Sequence, residues 1–275
     1  MRIFISIDIE GVAGVTGTSH TVPGGHGYTQ ACQWMTAEVA AAVEGARAAG
    51  ATDFIIADGH GGADNLDLDA LPSDVEIVRS WPRPMAMMQG VDENCDIAFC
   101  LGYHTGGHEV DGVLSHTFRG MQISYVKIND QMASELTVNA AIAGHYGVPV
   151  LLVSGDKATC HHAETLLGTH IATAQVKKEY SRLSARTLTP SAACRLIQQK
   201  AEQAIKNRSD DDFRLSGPLH IQMGLKHHWT AELLSYLPFI TRISAYEIEF
   251  EAKDIIEATS IFHFITSYTP LPPSV

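Results

Sequence analysis

A chain of 275 residues, 45% of them apolar, can bury the core of one large α/β domain, or of one domain with a smaller appended lobe. Its formal net charge is −12 and its Lys and Arg residues form no cluster, so a phosphate backbone is disfavoured and no nucleic acid is expected as a partner. No apolar run approaches the ~18 residues that span a bilayer. No secretory apolar region opens the chain, and the five cysteines include no CxxC pair, so the expectation is a cytoplasmic protein with free thiols and no membrane partner.

Residues 2–9 read as a buried strand interrupted by Ser6 and Asp8. Helical periodicity covers 30–49 and stops at Gly50, and 53–57 is the next strand, followed by Asp58-Gly59-His60-Gly61-Gly62. Strands are expected at 75–78 and 96–101, the second running into Gly102-Tyr103-His104-Thr105-Gly106-Gly107. A strand at 123–128, a helix at 132–146 and a strand at 149–154 come next. Helices at 157–167 and 191–207, strands at 219–223 and 243–250, and a closing helix at 253–266 complete the pattern. The polar 207–212 stretch is the linker candidate, and the Pro-rich 269–275 tail is expected to be irregular. Strands alternating with helices predict an α/β fold, a mostly parallel sheet with helices on both faces, plus a smaller C-terminal α+β portion. The expected division is a metal-binding core at 1–156 and a portion at 157–275 that completes the fold and carries oligomer contacts, unless the two form one continuous domain.

Chemistry gathers at the predicted strand ends. Period-two geometry sets Ser6, Asp8 and Glu10 on one face and Ile5, Ile7 and Ile9 on the other. Two carboxylates so close at the end of a buried strand repel each other and lose hydration, which a divalent cation would resolve; alone, the pair fits strand-end caps equally well. His60 follows the second strand among glycines, with Asp58 placed to orient its imidazole. His104 repeats the pattern after the 96–101 strand. Sites in open α/β sheets form where carboxyl ends of strands meet, and this oxygen and nitrogen donor set suits zinc, with manganese or cobalt as less specific choices. His116 and His108 are further candidates in the following loop. Glu135, in the first turn of the helix near 132, fits either a ligand or a charge favoured by the helix N-terminus. His26 reads as a loop residue, and the His161-His162 and His227-His228 pairs read as surface or cap residues. No GxSxG elbow, Walker A sequence or HExxH is present, and no GxGxxG opens a helix after a strand.

In order and spacing, Ser6-Ile7-Asp8-Ile9-Glu10-Gly11, Asp58-Gly59-His60, Leu101-Gly102-Tyr103-His104, Gly112-Val113-Leu114-Ser115-His116, Ile128-Asn129-Asp130 with Ser134-Glu135-Leu136, and 148–156 resemble the D-aminopeptidase family of zinc metallopeptidases, of the bacterial dipeptide-transport-operon type. The resemblance runs through most of the chain and weakens after about Asp156. It implies a two-zinc site in which Asp8 bridges the metals, Glu10 and His60 complete one, and His104 and Glu135 complete the other. It also implies a catalytic role for His116 and a ring-shaped homo-oligomer, a decamer of stacked pentamers that only short peptides enter. Thr105-Gly106-Gly107 departs from the more polar or basic run expected after His104, which bears on substrate preference. The activity so implied is removal of the N-terminal residue from short peptides containing D-amino acids, of the D-Ala type. Two other readings compete with it: a different dinuclear hydrolase, either an amidohydrolase or a phosphoesterase, and a non-catalytic metal-dependent peptide-binding module.

Overall fold

A computed structural model describes residues 1–268; the tail expected to be irregular at 269–275 lies outside the described residues. The chain opens with β1 (Arg2–Ile7), α1 (Tyr28–Ala48), β2 (Asp53–Asp58), β3 (Glu76–Val78) and β4 (Ile97–Tyr103). It continues through β5 (Ile123–Ile128), β6 (Gln131–Ala133), α2 (Glu135–His145), β7 (Val150–Asp156) and α3 (Lys157–Leu167). The C-terminal part supplies β8 (Ala172–Ser181), β9 (Ser184–Thr187), α4 (Pro190–Lys206), β10 (Leu219–Leu225), α5 (His228–Leu234), β11 (Thr241–Arg242), β12 (Glu247–Ala252) and α6 (Ile255–Ser267).

Seven strands form one sheet in the order β3-β2-β1-β4-β7-β8-β9, parallel except for the β8–β9 pair. Alternation in β1 turns Ile3, Ile5 and Ile7 to the face covered by α1, into a core that also holds Met35, Val39 and Val43 of α1 and Ile197 and Ala201 of α4. Phe4 faces the other way, into a core shared with Val138 and Ile142 of α2 and with Ile221 and Met223 of the second sheet. That sheet is antiparallel, in the order β11-β12-β10-β5-β6. The architecture is therefore α/β, with a mostly parallel sheet flanked by helices and an antiparallel sheet packed beside it. Both sheets draw strands from either side of residue 156.

Register sets up the site. In the central three strands Ile7 lies opposite both Asp58 and Leu101. The segments carrying Asp8, His60 and His104 therefore leave the same sheet edge side by side.

Several elements differ from the sequence expectation. The first strand ends at Ile7, so Asp8 and Glu10 sit in the turn beyond it rather than on a pleat. The helix expected from 132 begins at Glu135, because residues 131–133 pair back onto β5. The hairpin turns at Asn129 and Asp130, both at positive φ, as tight two-residue hairpins require. Neither the β8–β9 hairpin nor α5 was anticipated, and the strand expected over 243–250 is β12, starting at Glu247.

Candidate metal centre

Three backbone carbonyls orient three imidazoles. His60 directs Nε2 at the Thr21 carbonyl, 2.6 Å away, His104 directs Nδ1 at the Thr105 carbonyl (2.9 Å), and His116 directs Nδ1 at the Leu114 carbonyl (2.8 Å). A carbonyl only accepts, so each of these nitrogens carries a proton, and the second nitrogen is the one left for a cation or a further proton. Those second nitrogens point at carboxylates. His60 Nδ1 stands 3.2 Å from Asp8 Oδ1 and 3.0 Å from Glu10 Oε2, and His104 Nε2 stands 3.3 Å from Asp8 Oδ2 and 3.4 Å from Glu135 Oε1. His116 Nε2 is 3.8 Å from the same Glu135 oxygen, and its ring stacks on His104 with centroids 4.1 Å apart.

Two donor groups result, Asp8–Glu10–His60 and His104–His116–Glu135, each with ligand atoms within 4.8 Å of one another. Asp8 joins them, since its two oxygens face different imidazoles. Glu10 Oε2 and His104 Nε2 are buried without a hydrogen-bond partner, a costly state for polar atoms unless each meets a cation or a proton. The donor set, neutral imidazole with carboxylate, is one that zinc takes.

Protonation substitutes for a cation where none is bound. Burial works against charge on His60, but Glu10 and Asp8 outweigh it and hold the imidazole well above its usual range. His104 behaves likewise through Glu135 and Asp8. Burial would raise Asp8, yet His104 and His60 hold it well below the ordinary carboxylate value, and His104 with His116 holds Glu135 down against the same burial.

The surroundings hold this cluster in place. Ser134 caps α2 by accepting from the Thr137 N–H and receives a contact from His162 Nε2 at 2.8 Å. Glu135 is thereby the first residue of the helix, and its Oε1 also accepts from the Phe118 N–H at 2.7 Å. Asp58 was expected to orient the His60 imidazole. It instead accepts from the backbone N–H groups of His60, Asn65 and Leu66 and fixes the turn, leaving the imidazole to Thr21. Gly11 and Gly102 lie where the two ligand-bearing segments cross: a Cβ on Gly11 would fall 2.0 Å from the Tyr103 carbonyl oxygen, and one on Gly102 2.1 Å from that of Asp8.

One participant escaped the sequence reading. The Lys177 ammonium, fully buried in β8, donates to the carbonyls of Glu10, Val12 (3.0 Å) and Val15 (2.6 Å). It clamps the segment that carries Glu10. A lysine surrounded by Gln175, Lys178 and Glu179 reads as surface in the sequence, and nothing local reveals carbonyl partners more than 160 positions away. The other histidines stand outside the two donor groups. His26 is exposed, and His108 pairs with Glu109 (3.3 Å). His227 precedes α5 without a side-chain cap.

A buried set of carboxylate and imidazole donors at the carboxyl edge of a parallel sheet is a candidate metal centre of the kind that metal-dependent hydrolases use. The D-aminopeptidase family, peptidase family M55, matches residues 1–264. The chain belongs to this family. It is 30% identical over 261 residues to the D-aminopeptidase of Bacillus subtilis (strain 168), covering 94% of each chain. It is also similar to a solved structure described as the Zn-dependent D-aminopeptidase DppA from Bacillus subtilis, a self-compartmentalizing protease. That match has a TM-score of 0.92 and 28% identity, over 97% of each chain.

Proposed function

We propose that this protein is a zinc-dependent aminopeptidase that removes the N-terminal residue from short peptides containing D-amino acids, of the D-Ala type, at a two-metal site. The observation that carries the reading is Asp8, whose two carboxylate oxygens each face a separate donor group. Asp8 would bridge, Glu10 and His60 would hold one ion, and His104 with Glu135 would hold the other. When bound, the ions supply a water of lowered pKa and polarise the scissile carbonyl. Three carboxylates carry −3 against +4, so the site keeps a modest positive charge that favours a developing oxyanion.

His116 is the residue placed to move a proton. Its Nδ1 is committed to the Leu114 carbonyl, and its Nε2 is directed into the site. The His104 side chain is 2% exposed, whereas that of His116 is 21% exposed and can meet substrate. As base it would take the proton of the attacking water, and as acid return it to the leaving amine. The buried carboxylates offer a seat for the free N-terminal amine of the substrate, which would fix exopeptidase register. Manganese or cobalt would fit the same donors. By likeness to the self-compartmentalizing relative, the working form is a homo-oligomer, in our reading a decameric ring.

Metal analysis with peptide hydrolysis before and after chelation tests the reading. Two zinc ions per chain, with chelator-sensitive cleavage of D-Ala dipeptides and none of phosphoesters, is the expected result; full activity in a metal-free protein would overturn it. Light scattering of the purified protein checks the oligomer.

A further inference from the structure

A cavity of about 460 Å³ opens beside the donor groups. It touches both, through Glu135 on one side and through Gly59 and Gly61, the neighbours of His60, on the other. Away from the carboxylate, Trp81, Met87, Phe118 and Phe262 make one apolar side of its wall, and Arg119, Thr259 and His263 are among the polar residues that complete it. Trp81 is held in place from two directions. Its indole N–H donates to the Gly61 carbonyl at 2.7 Å, and the Arg83 guanidinium lies 3.8 Å from its ring centroid. Phe118 and Phe262 pack at 5.4 Å, and the Phe118 N–H is the donor that orients Glu135. One residue therefore shapes the apolar wall and positions a candidate ligand.

The dimensions exceed the smallest substrate. A volume of about 460 Å³ is far more than the single methyl group of an alanine side chain fills. Aromatic and thioether walls of this kind favour apolar groups over water. Resting on the peptidase reading above, in which the N-terminal residue is of the D-Ala type, we propose that this cavity is the specificity pocket for a bulky apolar side chain on the residue after the scissile bond. The substrate class it selects is short D-peptides carrying a large aliphatic or aromatic residue there.

Two peptide series test this, one varying the residue before the scissile bond and one the residue after it, each stepping through D-Ala, D-Val, D-Leu and D-Phe. In the second series kcat/KM of the zinc-loaded protein should rise by roughly 10- to 200-fold from D-Ala to the larger side chains, the range that apolar pockets achieve. Filling the pocket from separate elements, by Thr259→Phe and by Ala86→Leu, should reverse that ratio, whatever each variant does to the absolute rate. Calorimetric titration with free D-leucine and D-alanine gives a readout without turnover, with D-leucine expected to bind at least 10-fold more tightly. Cleavage with no size preference in the second series, or equal binding of the two amino acids, would overturn the pocket while leaving the peptidase reading intact. Tight D-leucine binding without any peptide cleavage would overturn the peptidase reading and keep the pocket.

Discussion

Replacing Lys177 with methionine removes the ammonium from three buried carbonyls while keeping most of the side chain's apolar stem. Each carbonyl left without a donor costs about 1–3 kcal/mol, so the gross loss is about 3–9 kcal/mol. Part of this is returned. Burial lowers the Lys177 pKa to about 8 against the pull of Asp156 and Glu38, and 2.5 pH units below 10.5 at ~1.36 kcal/mol each is about 3 kcal/mol of desolvation no longer borne. Subtraction leaves a net loss of about 0–6 kcal/mol, centred near 3, and the centre corresponds to roughly 6–12 °C in Tm for a chain of this size. A purely structural lysine would produce the same fall, so the deciding measurement is zinc affinity by competition titration on folded protein. The clamped carbonyls include that of Glu10, two residues from Asp8. Loosening them should weaken zinc binding by about 10- to 100-fold, the usual effect of losing groups that support ligands. A variant less stable but with unchanged zinc affinity would show that the Asp8–Glu10 segment holds its shape without Lys177, and the reasoning would fail.

Other outcomes follow from the same geometry. His116→Ala should lower kcat by about 10²- to 10⁴-fold, in the range of lost general acid–base catalysis; kinetics with a zinc count on the same sample checks this, and full kcat at normal zinc content refutes the assignment. Burial raises the Glu38 pKa from 4.5 to about 7, opposed by the Ala13 N–H and by Lys177. The folded state thus binds the extra proton between those values, and stability falls as pH rises through the window. Glu38→Gln should gain about 3 kcal/mol relative to the parent protein between pH 4.5 and 7, seen by denaturant titration at the two pH values. In the metal-free protein the lowered Asp8 contributes stability above pH 3.8, lost as pH falls through its folded value. The raised His60 and His104 contribute below pH 6.5, and that contribution is lost as pH rises through theirs. Zinc must displace those imidazole protons, so its affinity should climb with pH and binding near neutrality should release about two protons per chain. Affinity independent of pH would contradict the ligand set.

The residues of the site were more legible than the structure that supports them. Asp8, Glu10, His60 and His104 announce themselves because each follows an apolar run at a point where a parallel sheet ends, and the structure brings all four together with Glu135 and His116. Asp58 shows the limit of spacing arguments. Two residues from His60, it was positioned for the imidazole, yet its oxygens are satisfied by three backbone N–H groups of the same turn. The helix at Glu135 starts later than its apolar pattern because Asn129 and Asp130 turn the preceding residues into a hairpin. The strand holding Lys177 was missed because its apolar alternation is broken by polar and charged positions, and the compensation comes from carbonyls far away in the chain.

The crossing of Gly11 and Gly102 constrains how the site of this chain can be altered. Two absent methyl groups let the segments bearing Asp8 and His104 touch backbone to backbone, so the distance between those donors depends on residues that bind nothing themselves. Any side chain at either position would wedge the two segments apart and separate the imidazole from the carboxylate it faces. Across the cavity, Met87 and Phe262 can be exchanged without touching this crossing, while the cradle beneath stays locked by its two smallest members.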